Sequence, residues 1–194
     1  MKITALLLAT FACVAQEVID STMCEVGANP SKFDGKLIRV RATHRSGFEH
    51  TLLTGCEPRV SIWLEINEMP HLLTGEVAPV KKADEIKTPA KLQWRKLPPR
   101  PQVSVVADAG WKAFEKEIES QRKRLSAANN LLVGSTALTA TFVGRLDWLG
   151  GRLIAYRAEG SKEVVLKFGG FGHLNAWPMQ FVAQRVSDVE PSPQ

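Results

Sequence analysis

The chain has 194 residues, which allows one domain with a sizeable core, or a small domain with an elaborate insertion. Beyond the N-terminal run no segment is long and apolar enough to anchor the chain in a membrane, which excludes a later membrane helix. The net charge of +5 favours an anionic partner but does not require one.

The first 15 residues have the layout of a secretory signal peptide. Lys2 precedes a mainly apolar run from Ile3 to Val14, and small residues then lead to Gln16. The run is too short to cross a bilayer, which needs about 20 apolar residues. We therefore predict cleavage near Gln16 and export to the periplasm or the medium. The alternative is a buried N-terminal strand or helix.

Two cysteines, Cys24 and Cys56, remain after removal of the signal. In an oxidising compartment an even pair in a small domain is most simply a disulfide. Closing a loop of this length stabilises a fold by roughly 3–4 kcal/mol. The alternatives are two reduced core thiols or half of a metal site, although no CxxC motif or closely spaced histidine supports zinc.

The segment "GKLIRVRATHR", residues 35–45, predicts a strand with two different faces. One face carries Arg39, Arg41 and Arg45, and the other is apolar and includes His44, which we expect to be a satisfied core histidine. The arginine face is either a solvated face or a surface for an anionic ligand. In the first case the arginines pair with carboxylates, for which the candidates are Glu49, Glu65 and Asp147.

Two further strands are predicted before the composition changes. "FEHTLLTG" is a plausible second strand, and "RVSIWLEI" alternates cleanly. In the latter we expect Trp63 on the outer face with Ser61 and Glu65. The inward residues are Val60, Ile62, Leu64 and Ile66.

Residues 67–110 read as a long insertion rich in proline and lysine, since six of the 11 prolines fall between Pro70 and Pro101. Residues 81–100 carry seven cations and two acids. Such a connection is usually a functional arm or a mobile loop, and a solvated insertion without a partner is an equal alternative. "QVSVVAD" is a possible strand at its end.

One long amphipathic helix is predicted in "WKAFEKEIESQRKRLS", with Asp108 as its N-cap and an apolar stripe for core packing. "ALTATFVGRLDWL" then alternates as a strand, with Arg145 and Asp147 on the face opposite Phe142. Gly150 and Gly151 predict a hairpin turn, after which "RLIAYRA" returns. "MQFVAQRVSDVE" is the last strand, and residues 191–194 are expected to form a disordered tail.

The order of strands and helix resembles the OB-fold, a five-stranded Greek-key barrel with a helix between its third and fourth strands. Two motifs carry the resemblance over about 90 residues: the entry "FDGKLIRV" at residues 33–40 and the strand "TFVGRL" at residues 141–146. The chain also resembles small secreted bacterial proteins of unassigned function, through "CEVGANPSKFDGK", "RSGFEH" and "GFGHLNAWP". We therefore expect a mainly β, OB-like barrel over residues 16–190.

The resemblance implies a ligand face on strands two and three, flanked by the loops "HRSGFEHT" and "GGFGHLNAWP". The candidate binding residues are Arg39, Arg41, Arg45, Phe48, Glu49, His50, Trp63 and His173. Arginines with aromatic residues are the composition of a single-strand nucleic-acid groove. Export makes a polysaccharide, a lipid headgroup or an acidic protein surface the more plausible anionic partner.

A second hypothesis is a small metal- or histidine-dependent hydrolase that uses Glu49, His50 and His173. It requires these side chains to converge, because a base must lie within hydrogen-bonding reach of its proton. No HExxH, GxSxG, P-loop or dinucleotide motif is present. We therefore expect an exported, non-catalytic binding module with no cofactor, no metal and no assigned catalytic residue. Single-stranded nucleic-acid binding is the alternative if the chain is not exported.

Overall fold

The computed structural model of the chain describes residues 17–47, 50–56, 60–66, 76–79, 95–96, 100–128, 135–150, 152–157, 164–168, 170–172 and 176–191. The helices are α1 (Met23–Ala28), α2 (Pro30–Phe33) and α3 (Ala109–Ala127). The strands are β1 (Ile19–Asp20), β2 (Leu37–Ser46), β3 (Thr51–Gly55), β4 (Val60–Glu65), β5 (Glu76–Pro79), β6 (Arg95–Lys96), β7 (Thr136–Trp148), β8 (Arg152–Arg157), β9 (Val164–Phe168) and β10 (Met179–Pro191). The predicted mainly β class is confirmed.

Five strands form a closed ring in which each pairs with a neighbour on both sides. Around the ring, β2 pairs with β3, β3 with β4, β4 with β10, β10 with β7, and β7 with β2 again. The β4–β10 pair is parallel, and the other four pairs are antiparallel. The short β1 adds to the beginning of β2 in parallel.

The hydrophobic core lies inside the ring, because each strand turns alternate apolar side chains inward. On β2 the buried residues Ile38, Val40, Ala42 and His44 alternate with more exposed ones, as the sequence predicts. On β4, Ile62 and Leu64 are buried as expected. Ile66 is not inward: it follows the end of β4 and is 38% exposed, so that part of the prediction is wrong.

Helix α3 packs against β7 and β10 and contributes Trp111 and Phe114 to the core. It begins as predicted, because the Asp108 carboxylate accepts a hydrogen bond from the Trp111 N–H at 3.0 Å. Gln121, one of the buried polar residues, bonds both backbone groups of Ala137 on β7, at 2.9 and 2.8 Å. The helix is therefore held against the ring by its buried aromatic side chains and by the Gln121 amide.

A disulfide joins α1 to the turn after β3, as predicted, with the Cα atoms of Cys24 and Cys56 5.1 Å apart. Helix α1 itself begins with a capping box, in which Thr22 and Glu25 exchange side-chain and backbone hydrogen bonds. The bond from the Thr22 N–H lowers the pKa of the Glu25 carboxyl. The apolar side of the helix, Met23 and Val26, is buried in the core.

A second, four-stranded sheet has the order β6-β5-β8-β9 and is antiparallel throughout. Its strands β5 and β6 belong to the predicted insertion, and β8 and β9 belong to the connection between β7 and β10. The expectation that residues 152–157 return alongside β7 is wrong, because β8 pairs with β5 and β9 instead.

Several predictions concern residues outside those described, namely the signal peptide at 1–15, most of the basic segment 81–100, and residues 192–194. Strand β10 extends to Pro191, the first residue of the predicted tail. The possible strand at residues 102–108 is not formed, because none of these residues is assigned to a strand. Among the described helices, none is long and apolar enough to span a membrane.

Candidate ligand-binding face

The outer face of the ring carries all three predicted arginines and Trp63, and the strand register sets their spacing. Arg45 on β2 lies opposite Leu52 on β3, and Leu52 lies opposite Trp63 on β4. Trp63 is next to Gln180 on β10, and Gln180 is opposite Asp147 on β7. Because the backbones of neighbouring strands are about 4.8 Å apart, the Cα atoms of Arg45 and Trp63, two strands apart, are separated by about 10 Å.

Arg39 and Arg41 are held in exposed ion pairs. The Arg39 guanidinium contacts the Asp20 carboxylate on β1 at 2.7 Å, and Arg41 contacts Glu190 on β10 at 2.6 Å. The partners are therefore not those expected from the sequence. Because solvent screens exposed ion pairs, these two pairs contribute little to stability. The carboxylates nevertheless compensate the positive charges of Arg39 and Arg41. At this part of the arginine face, the protein itself supplies the carboxylates that bind the guanidinium groups.

Arg45 differs from the other two arginines. It forms no ion pair with any residue that the structure describes, and its Nε atom is buried without a hydrogen-bond partner there. A buried guanidinium N–H that is left unpaired costs free energy, which an incoming acceptor recovers. Arg45 is half-buried and shares its cross-strand row with Leu52 and Trp63, which are also half-buried.

The glycine-rich loop before β10 covers one side of Trp63. Gly172 has a φ of +70°, and a Cβ added there would lie 2.2 Å from the Trp63 ring, so the glycine backbone lies directly on the indole. The Trp177 ring packs beside Trp63, with centroids 5.1 Å apart and an interplanar angle of 45°. Phe171 and Trp177 exchange two backbone hydrogen bonds, of 2.7 and 3.3 Å, which close the loop.

The loop changes the role expected for Trp63. Its indole is partly covered by Gly172, while its Nε1–H donates to the Glu65 carboxylate at 3.4 Å. Trp177 is half-buried and was not among the candidate residues. The signal that could have found it is the sequence "GGFGHLNAWP", in which a tryptophan closes a glycine-rich loop. Trp177 and Trp63 together form the aromatic end of the row that begins at Arg45.

The hydrolase hypothesis rests largely on residues outside those described, namely Glu49 and His173; the candidate binding residue Phe48 also lies outside. His50 is described, and its carbonyl accepts a hydrogen bond from the Gly47 N–H at 2.9 Å. A Cβ added to Gly47 would lie 2.6 Å from the imidazole, so Gly47 itself packs closely against the His50 ring. Within the described ranges, no group of three or more potential ligands could hold a metal ion.

His44 is buried in the core as predicted, but its Nδ1 has no hydrogen-bond partner among the described residues. Its ring contacts Phe114 edge-on, with centroids 5.1 Å apart. Burial, together with the positive charge of Arg122, lowers the pKa of His44 to about 4. The imidazole is therefore neutral at neutral pH and serves as packing.

A buried charge cluster also lies on the outer face, and sequence reasoning missed it. The guanidinium of Arg145 binds both oxygens of Asp147 at 2.8 and 3.0 Å, and both side chains are fully buried. Arg100 contacts Asp147 at 2.5 Å and Asp34 at 2.7 Å. The only sequence signal was opposite charges at positions 145 and 147, on the face that the alternation assigns away from the core.

Comparison of the chain with protein-family models, with curated proteins and with solved structures gives no match. The geometry of the described residues is therefore the basis for assigning a function.

Proposed function

We propose that the ring is an OB-fold barrel. Its strands occur along the chain in the order β2, β3, β4, β7, β10, with α3 between the third and fourth, which is the order of that fold. The closed ring of strand pairs, in which the third and fifth strands form the one parallel pair, supports the same assignment. The second sheet then consists of insertions into two connections of the barrel.

We propose further that the protein is an exported, non-catalytic module that binds an anionic ligand on this outer face. The site is the surface formed by Arg45, Leu52, Trp63 and Trp177, named here the Arg45–Trp177 surface. The observation that supports it is the difference among the three arginines: Arg39 and Arg41 have carboxylate partners, and within the described residues Arg45 has none. OB-folds bind oligosaccharides and oligonucleotides on the corresponding face.

The surface suits a ligand with a negative group and a flat, apolar side. A guanidinium binds a carboxylate or phosphate through charge-assisted hydrogen bonds, and an indole packs against a ring. An acidic polysaccharide has both features in one repeating unit. An exported protein meets such polymers more readily than it meets nucleic acid, so we favour a uronic-acid polymer as the ligand class.

The test is titration calorimetry with short oligogalacturonate chains at low salt, with maltooligosaccharide of equal length as the neutral ligand. Arg45→Met is expected to weaken binding of the acidic chain at least about tenfold, because a hydrogen bond to a charged group contributes roughly 1.5–3 kcal/mol. Arg41→Met is the matched control: it removes the same group from the same strand face, but Glu190 already compensates that arginine.

Equal losses in Arg45→Met and Arg41→Met would show that binding depends on overall charge and not on this surface. No binding of the acidic chain by the wild type would refute this ligand class. Tighter binding of single-stranded oligothymidylate than of oligogalacturonate would instead support the nucleic-acid alternative.

Export has its own test, which is expression of the full chain with its own first 15 residues in a Gram-negative host. We expect an intact mass that starts near Gln16, and a mass change on reduction and alkylation that corresponds to one disulfide. An uncleaved chain with free thiols would contradict export.

A further inference from the structure

The end of the ring that carries Arg45 has a polar interior. His44 is 2% exposed, and its Nδ1 has no hydrogen-bond partner among the described residues. Two residues further along β2, Ser46 lies opposite Thr136 on β7, and both are buried. Within the same described ranges, the Thr136 hydroxyl also lacks a partner. Buried polar groups without hydrogen bonds cost free energy, so this end of the core is held less firmly than an apolar one would be.

The described neighbours of His44 are apolar or cationic. Strands β3 and β7 face it with Leu53 and Leu138, and α3 contributes the Phe114 ring. The charged group that acts on the imidazole is the Arg122 guanidinium, also on α3. The three acids of that helix are bound to other side chains: Glu115 to Trp111, Glu117 to Arg124, and Glu119 to Lys123. A proton on His44 would therefore create a buried cation in the field of a second cation.

Helix α3 is attached unevenly to the ring. Its first half is capped and buries the rings of Trp111 and Phe114 in the core. In its second half the buried residue is Gln121, whose amide bonds the backbone of Ala137, while Ile118 is only partly buried. Segments with few buried apolar contacts open locally at a lower free energy than the rest of a protein. The second half of α3 can therefore leave the ring without global unfolding.

Release of this half of α3 would affect Arg45. Ala137 lies directly opposite Arg45, and β10 pairs with β7 only as far as Leu138. At Ala137 the Gln121 amide thus bonds a part of β7 that β10 does not reach. His44, the residue before Arg45, packs against the same helix through Phe114. The position of this end of β2 therefore depends on the helix.

Acidification favours the released state. The folded pKa of His44 is about 4, below the usual 6.5, because the imidazole is buried and lies near Arg122. Between these two values a solvent-exposed imidazole binds the proton and the buried one does not. Falling pH therefore raises the population of any state in which His44 is exposed.

We propose that this end of the ring is a pH-sensitive device. Protonation of His44 releases the second half of α3 from β7, loosens the end of β2, and so releases the anionic ligand from Arg45. The step to ligand release rests on the proposed function, whereas the release of the helix does not.

The first measurement is amide hydrogen exchange by NMR at pH 7 and pH 4.5, with each rate corrected for the intrinsic effect of pH. The Ala137 N–H reports release of the helix, because it donates to the Gln121 amide at 2.8 Å. The Phe142 N–H reports global unfolding, because Phe142 lies between β2 and β10 in the middle of β7. We expect Ala137 to exchange at least about tenfold faster than Phe142 at both pH values, and its protection to fall at least about tenfold at pH 4.5.

Three variants test whether His44 is the group that titrates. His44→Leu removes the proton acceptor, so the protection of Ala137 should no longer fall on acidification. Arg122→Met should lessen the fall, because the second cation is absent. Arg124→Met is the matched control: it removes an exposed arginine from the same helix, one that binds Glu117, and should keep the fall in full.

Two results of the exchange measurement would overturn the inference. An equal fall in wild type and His44→Leu would mean that another group titrates. Equal exchange rates of Ala137 and Phe142 would mean that the helix leaves the ring only when the whole protein unfolds.

The second measurement is the affinity for oligogalacturonate at the same two pH values. We expect the wild type to bind at least about threefold more weakly than His44→Leu at pH 4.5 and equally at pH 7, because the released fraction does not bind. Comparing the two proteins at one pH removes the effect of protonating the ligand. Equal affinities at pH 4.5 would overturn the role in ligand release. If the wild type does not bind the probe at pH 7, the proposed function fails, and the exchange of Ala137 alone then decides whether His44 controls the helix.

Discussion

At the scale of single residues, this chain has polar groups whose environment determines their behaviour more than their residue type does. Three arginines on one strand face look equivalent in the sequence, yet Arg39 and Arg41 have carboxylate partners, whereas Arg45 has none among the residues that the structure describes. His44 and Arg145 are polar residues that the structure buries. For these residues, position in the ring determines which groups are available to a ligand and which respond to pH.

His44 predicts a fall of stability on mild acidification. Its folded pKa is about 4, below the usual 6.5, so between these values the unfolded chain binds more protons than the folded one. The free energy of unfolding is therefore unaffected by His44 titration above pH 6.5. It falls as the pH is lowered towards 4, by about 3 kcal/mol in all.

Urea unfolding between pH 4.5 and 7.5 measures this loss. His44→Leu keeps the volume approximately and removes the titrating group, so its free energy of unfolding should change much less over the same range. A wild type and a His44→Leu variant with parallel pH profiles would contradict the assignment.

Gly172 predicts a local effect on the tryptophan pair. Gly172→Ala combines an unfavourable positive φ with a Cβ 2.2 Å from the Trp63 ring, so we expect the loop to move off the indole. The near-ultraviolet circular dichroism of the tryptophans should decrease. Gly35→Ala is the control, since Gly35 has a φ of +75° but an added Cβ would meet its nearest described neighbour, Arg100 Cγ, only at 3.9 Å. That variant should cost about 1 kcal/mol and leave the tryptophan signal intact.

At the scale of elements, α3 is attached to the ring by a very close approach at its first turn. A Cβ added to Gly110 would lie 1.9 Å from the Val186 carbonyl oxygen on β10. The same turn is capped by Asp108, and Gln121 fixes the helix to β7 further along. The position of α3 thus depends on Gly110, on the Asp108 cap and on the Gln121 amide.

Gly110→Ala should therefore destabilise the protein, although alanine is the better helix former. We expect a net loss of about 1–3 kcal/mol, because overpacking outweighs the helix-propensity gain of about 1 kcal/mol. Ser126→Ala, at an exposed position of α3, should change the free energy of unfolding by less than about 0.5 kcal/mol. Denaturant unfolding of both variants measures the difference; a stabilised Gly110→Ala would show that α3 is free to shift on β10.

The disulfide is the other connection between elements, and it joins α1 to the turn after β3. The double variant Cys24→Ser, Cys56→Ser should lose roughly 3–4 kcal/mol, because the unfolded chain regains the freedom of a loop of this length. Wild-type protein unfolded under reducing conditions should reach the same value. Equal stability of the oxidised and reduced wild type would show that the unfolded state is already restricted.

At the scale of the whole molecule, period-two patterning predicts the ring strands well, because one face of each strand is buried. The alternation in β2 and β4, the Asp108 cap and the disulfide are all confirmed. The buried state of Arg145 and Asp147 could not be predicted in this way. It depends on residues 100–103, which come from another part of the chain and cover a face that a single strand marks as polar. Likewise, nothing near Trp63 in the sequence indicates that Gly172 covers it.

The parallel pair between β4 and β10 also has a consequence for folding. It brings Trp63 next to Gln180, so the ring cannot close until residues 180–182 have joined residues more than 100 positions earlier in the chain. Long-range pairings of this kind slow folding, because the entropy of closing a long loop must be lost before the contacts form. Until β10 is in place, β4 and β7 each present an unpaired edge that can join another chain. Removal of β10 should therefore convert a folded protein into an aggregating one, and residues 179–191 serve as the closure of the ring.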